Sequence, residues 1–188
     1  MRLIITRHGE TEENKEGIIQ GHLPGKLSAE GIDQAEKVAL RLKDEKIDFI
    51  FSSDLARAAD TAQEIAKFHP NTPIKLVEDL RERYLGEFQG KRRSEVNETE
   101  SKDEEPMKAL YDRAEKSLYK ILSKHHQDTI LFVGHNGINK AMIAVITGKK
   151  HEDIKDIERQ HNTSVNIFEI DENKNHIIHV FNCIKHLE

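Results

Sequence analysis

The sequence holds a single cysteine, Cys183, among 188 residues. One thiol cannot close an internal disulfide, so a disulfide-stapled extracellular scaffold is excluded and a reducing cytoplasm is the expected setting. No run approaches the roughly 18 apolar residues that a spanning helix needs. Met1-Arg2 leads into an apolar stretch too short for the core of a secretory signal. A soluble protein with no membrane partner is therefore expected. Positive charge is not in excess either: 29 Lys and Arg against 34 Asp and Glu leave a net −5, which argues against nucleic acid as a main partner. An anionic ligand has to be met by cations gathered locally. No internal repeat and no linker breaks the chain, so residues 1–188 read as one domain, long enough to bury a core.

What the chain does have is alternation. Three short apolar runs, at 3–6, 47–51 and 129–133, stop at Arg7-His8-Gly9, Ser52-Ser53-Asp54 and Gly134-His135-Asn136-Gly137. Continuous apolar strands of this kind suit a sheet buried on both faces. Helical spacing appears between and after them. Ser28 is the expected N-cap of a helix with the stripe Ile32, Ala35, Val38, Ala39 and Leu42. Leu55, Ala58, Ala62 and Ile65 mark a second helix, Leu110, Ala114, Leu118 and Ile121 a third, and Ile138, Met142 and Val145 a fourth that stops at Gly148. Residues 165–170 and 177–181 flank a polar turn and predict a β-hairpin. Its free edge leaves monomer and homodimer both open. The pattern predicts a three-layer α/β/α sandwich around a mostly parallel central sheet.

In open parallel sheets, ligands bind beyond the carboxyl ends of the strands. Arg7-His8, the segment from Ser53 to Arg57, and His135 are thus expected to share one crevice. The least regular stretch, 91–105, opens on Lys91-Arg92-Arg93 and then carries Glu95, Glu98, Glu100, Asp103, Glu104 and Glu105. It reads either as a solvated surface insertion or as a short lid whose basic start meets substrate. His125-His126 and His176 with His179 have no carboxylate or cysteine at ligand spacing, so a solvated surface is expected there and no metal site.

The strand-end clusters also carry a resemblance. Arg7-His8-Gly9-Glu10-Thr11 followed by Asn14 resembles R-H-G-E-T-x-x-N, the opening motif of the histidine phosphatase (phosphoglycerate mutase-like) superfamily. Six further matches follow in the family's order: Gln20-Gly21-His22; Leu27-Ser28 with Gly31 and Gln34-Ala35; Ser52-Ser53-Asp54-Leu55 with Arg57-Ala58 and Thr61-Ala62; Leu80-Arg81-Glu82 with Gly86 and Gly90; Val133-Gly134-His135-Asn136-Gly137; and Asn162-Thr163-Ser164. The resemblance implies a phosphoglycerate mutase-like fold and phosphoryl transfer through a phosphohistidine on His8. Neutral imidazole is a nucleophile available near pH 7. The phosphoryl group in flight spreads charge over its equatorial oxygens, which forked guanidinium donors fit well. Arg7, Arg57 and His135 are the implied partners of that charge, with Asn14, Gln20 and Gly21 holding remaining oxygens. Asn136 either adds a donor or fills space. Glu82 is the implied proton donor to the leaving group, held protonated by burial and the anionic substrate. Glu78, Asp79 and Glu87 are rivals that the spacing to Gly86 disfavours. Glu10 and Thr11 are expected to be structural.

Two departures bear on specificity. Lys26 stands where the family commonly has proline. Glu82-Arg83 with Gly86 and Gln89-Gly90 is similar to the mutase form of the acid loop, so Arg83 either grips a substrate carboxylate or is a solvated neighbour. The expected function is a metal- and cofactor-independent phosphomonoesterase acting on a small phosphorylated metabolite. The short insertion leaves the site open to water. The alternatives are a cofactor-dependent phosphoglycerate mutase, which would require 2,3-bisphosphoglycerate, and a non-catalytic phospho-ligand or protein-binding module.

Overall fold

The computed structural model describes residues 1–96 and 103–188. Glu98 and Glu100 of the acidic run lie outside the described residues. The strands are β1 (Arg2–Arg7), β2 (Phe49–Ser52), β3 (Ile74–Leu76), β4 (Thr129–Gly134), β5 (Val165–Ile170) and β6 (His176–Cys183). The helices are α1 (Glu12–Glu16), α2 (Ala29–Leu42), α3 (Ala56–Ala66), α4 (Met107–Leu122) and α5 (Asn136–Ile146). The strands form one sheet in the order β3-β2-β4-β1-β5-β6. The first four are mutually parallel. β5 runs antiparallel to β1, and β6 antiparallel to β5, as the hairpin pattern predicts.

The apolar runs form strands because both faces of the sheet are covered. In β1, Leu3 and Ile5 point into the layer formed by α4 and α5, with Leu110, Leu118, Ile138 and Met142. Ile4 points the other way, toward α2 and α3, among Val38, Leu42, Ala58 and Ile65. Successive side chains of a strand alternate between faces, so one four-residue run seeds two cores. The three-layer α/β/α sandwich follows.

Ser28 caps α2 as expected, its hydroxyl accepting from Gly31 N at 3.0 Å. One residue of the predicted α2 stripe departs: Ile32 is 47% exposed. The buried face runs through Gly31, Ala35, Val38, Ala39 and Leu42, and Ile32 sits one step round the helix, over Leu27 and the polar side of α3. His125 also departs from a solvated surface. Its ring packs on Phe49 with centroids 4.3 Å apart, and its Nδ1 bonds Asp128, while His126, His176 and His179 are exposed. Among the described residues no helix is long and apolar enough to cross a membrane.

Candidate active site

β1 and β4 are neighbours, with Arg7 opposite Gly134. Both strands stop at the same edge, so the next residues, His8 and His135, meet: their ring centroids are 5.1 Å apart. β2 ends beside them and leads into α3, whose first turn carries Arg57. The crevice is therefore a product of strand order.

His8 is held in one tautomer. Its Nδ1 lies 2.7 Å from Gly9 O. A carbonyl only accepts, so Nδ1 carries the proton and Nε2 keeps its lone pair. Burial, then the charges of Arg7 and Arg57, push the imidazole well below its ordinary pKa of 6.5. Arg57 Nε donates to His8 Nε2 at 3.3 Å, a bond long enough to yield to an incoming group. The remaining nitrogens of Arg57 donate to the carbonyls of Gly21, Leu23 and Pro24. One guanidinium thus ties His8 to the loop after Gln20. That loop, where Lys26 replaces proline, is pinned from its other side by Glu12 N donating to Lys26 O at 3.0 Å.

Arg7 is buried and donates through Nη1 to Gln160 O at 2.9 Å, while its Nε has no partner among the described residues. Burial lowers both guanidinium pKa values to about 10, so both remain charged at neutral pH. His135 is fully buried and neutral, held there by its burial and then by Arg57, and neither ring nitrogen has a partner among the described residues. An unpartnered buried polar atom is costly, and His135 carries that cost directly against the His8 ring.

Glu82 faces the same cavity from the loop after the single-turn helix Glu78–Leu80. Its Oε2 accepts from Gly137 N and its Oε1 from Ile138 N and Arg83 N, at 2.8–3.2 Å. The carboxyl thus sits on the amide end of α5 as a triple acceptor. Oε2 takes one of these three bonds and keeps a lone pair free. From behind, Arg113 on α4 donates to Asp79 O, Arg81 O and Glu82 O and forks onto Glu105.

The cavity is about 310 Å³, near the lower end for ligand pockets. His8, Arg7, Arg57, Asn14, Gln20, Gly21, Glu82 and Asn136 line it. The model of the histidine phosphatase superfamily (branch 1) matches residues 3–183. The chain belongs to that superfamily. It is 36% identical over 203 residues to phosphoglycerate mutase-like protein 4 of Arabidopsis thaliana, across 99% of this chain and 86% of that one. It is 35% identical to the metal-independent phosphoserine phosphatase of the same plant, across 77% and 68%. Among solved structures, Bacillus stearothermophilus YhfR superposes with a TM-score of 0.92 at 26% identity, covering 100% of this chain and 99% of that one.

Within this histidine phosphatase, several predicted residues have more specific positions than the motifs gave. Asn14 closes the capping box of α1 with Thr11 and presents its amide to the cavity. Gln20 donates to Thr11 Oγ1 at 2.8 Å and leaves its Oε1 buried and unpartnered. Asn136 Oδ1 accepts from Gln160 N. Ser53 Oγ accepts from Leu55 N in the turn into α3 and does not line the cavity. His135 stands behind His8, outside the lining.

Arg83 is not among the lining residues. Its Nη2 pairs with Glu104 at 2.8 Å and its Nε donates to Glu105 O, so it is neither a solvated neighbour nor aimed at substrate. Two arginines that no motif singled out do line the cavity, Arg93 and Arg159. The first belongs to the basic start of the 91–105 stretch, which the lid reading placed against substrate. The second lies three residues before the Asn162-Thr163-Ser164 match. His22, from the Gln20-Gly21-His22 match, packs at the acid loop: its ring Nε2 donates to Glu82 O at 2.7 Å and so helps fix that loop.

Proposed function

We propose that the chain is a phosphomonoesterase that works through a phosphohistidine and takes small phosphorylated metabolites. The observation that carries it is His8: neutral, tautomerically fixed by Gly9 O, with Nε2 in a cavity lined by Arg7 and Arg57. Nε2 attacks phosphorus, and the N–P bond forms as the P–O bond to the leaving group breaks. Arg7 and Arg57 stabilise the equatorial oxygens. Protonated Glu82 gives its proton to the leaving alkoxide. It then takes a proton from water, which attacks the phosphohistidine, releasing phosphate and restoring His8. The guanidinium groups supply the positive charge in each step, and the scheme uses no metal or organic cofactor. Hydrolysis as the outcome is supported by the exposed mouth at Arg93 and Arg159 and by the engagement of Arg83 with Glu104, which removes the residue that favoured a mutase. The half-buried thiol of Cys183 suits a cytoplasmic setting.

The test is incubation with 3-phosphoglycerate, with and without 2,3-bisphosphoglycerate. Phosphate release without cofactor is expected, along with a phosphate-labelled intermediate in the intact protein and none in His8→Ala. Appearance of the 2-phospho isomer faster than free phosphate would overturn the reading in favour of a mutase.

A further inference from the structure

The chain has ten arginines. Six of them, Arg2, Arg41, Arg81, Arg83, Arg92 and Arg113, pair with carboxylates. Among the described residues the four without a carboxylate partner are Arg7, Arg57, Arg93 and Arg159, and these four line the one cavity. Arg7 and Arg57 are buried beside His8, where a phosphoryl group occupies them. Arg93 and Arg159 are exposed at the mouth and have no counterpart in that chemistry.

Both stand on fixed backbone. Arg159 O accepts from Asn182 Nδ2 at 3.0 Å, and the next residue is held by Asn136 at its N–H and by Arg7 at its carbonyl. Arg93 N donates to Gly17 O at 2.9 Å, and Ile18 bridges Arg92 in an antiparallel pairing. Such anchoring lowers the entropy lost when a long side chain engages a ligand. Arg159 is also close enough to Arg7 to disfavour its charge, a cost that an anion between them offsets.

We propose that Arg159, assisted by Arg93, is the specificity-determining subsite for a second anionic group on the substrate, a carboxylate or a second phosphate, so that the preferred substrates are small phosphomonoesters with an acidic tail. This rests on the phosphomonoesterase reading. A planar guanidinium fork suits either group, and a cavity of about 310 Å³ keeps the tail within a few bonds of the phosphate.

Three matched esters test it: glycerol 3-phosphate with a neutral tail, 3-phosphoglycerate with a carboxylate, and glycerol 1,3-bisphosphate with a second phosphate. The intact protein is expected to prefer at least one acidic-tailed ester over the neutral one by tenfold or more in kcat/KM, and the preferred arm identifies the group. Arg159→Met is expected to cut that ratio at least tenfold, chiefly through KM, Arg93→Met to cut it less, and Arg159→Lys to retain part of it. No preference in the intact protein, or an equal fall on all three esters, overturns the subsite. If none of the esters releases phosphate, the phosphomonoesterase reading fails separately. Calorimetry on His8→Ala then decides: Arg159→Met should weaken 3-phosphoglycerate at least tenfold more than inorganic phosphate, and equal weakening overturns the proposal.

Discussion

His8 is set by a carbonyl and two arginines. Gly9 O fixes the proton on Nδ1, while burial and the arginine charges keep the ring neutral well below pH 6.5. The base form therefore persists on acidification, and the His8 ring is expected to show no titration in imidazole NMR signals as pH falls through 6.5. A His8 signal, assigned by its loss in His8→Ala, that titrates near 6.5 would contradict this. Glu82 is held differently, by three amide donors at 2.8–3.2 Å. Glu82→Gln keeps the shape but loses the transferable proton and points N–H groups at N–H groups. Turnover of esters with poor leaving groups is expected to fall on the order of 10²- to 10⁴-fold. Esters with good leaving groups, which need no proton, should fall much less, and a 4-nitrophenyl ester against an alkyl ester checks it.

The elements around these residues work as mounts. The start of α2 lies directly on the loop after His8, and a Cβ on Gly31 would run into the Glu10 carbonyl. Gly31→Ala is therefore expected to destabilise by about 1–3 kcal/mol, although alanine at a free helical site would stabilise by up to about 1 kcal/mol; urea unfolding measures the sign. On α4, Arg113 straps the acid loop to Glu105. Arg113→Lys cannot reproduce a fork onto a carboxylate plus three carbonyl contacts, and is expected to lower kcat about ten- to a hundredfold while KM changes little. A proportional rise in KM would mean that the phosphate site had moved as well. How much of this was legible depended on what carried the signal. Buried runs such as Leu3 to Thr6 and the stripe at Ala35, Val38 and Leu42 announce themselves because burial selects apolar side chains at a fixed period. β3 has three residues, two of them exposed, and α1 has five with none buried, so no period forms. Motif spacing located His8, Arg57 and Glu82. It could not locate the partners of Arg83, because an ion pair with Glu104 depends on where two loops cross, and for the same reason Arg159 carried no mark.

For the whole molecule, the buried histidines tie folding to pH. In the unfolded chain His8 and His135 take up protons near pH 6.5, whereas in the folded chain burial and the arginines keep both neutral to well below that value. Stability from this source is full above about pH 6.5 and declines as pH falls toward the folded values, by up to about 1.4 kcal/mol per pH unit for each group. His186, half-buried and shifted the same way, adds to the slope. Urea midpoints should thus drop between pH 6.5 and 5, and less steeply in His135→Gln. The contacts that finish the site also span the chain. Arg7 reaches Gln160 across 153 residues and Asn162 reaches the His8 carbonyl across 154. Long-range closure of this kind comes late in folding. Translation makes His8 some 150 residues before the segment that seats it, so the growing chain carries a histidine whose holding partners have yet to be made.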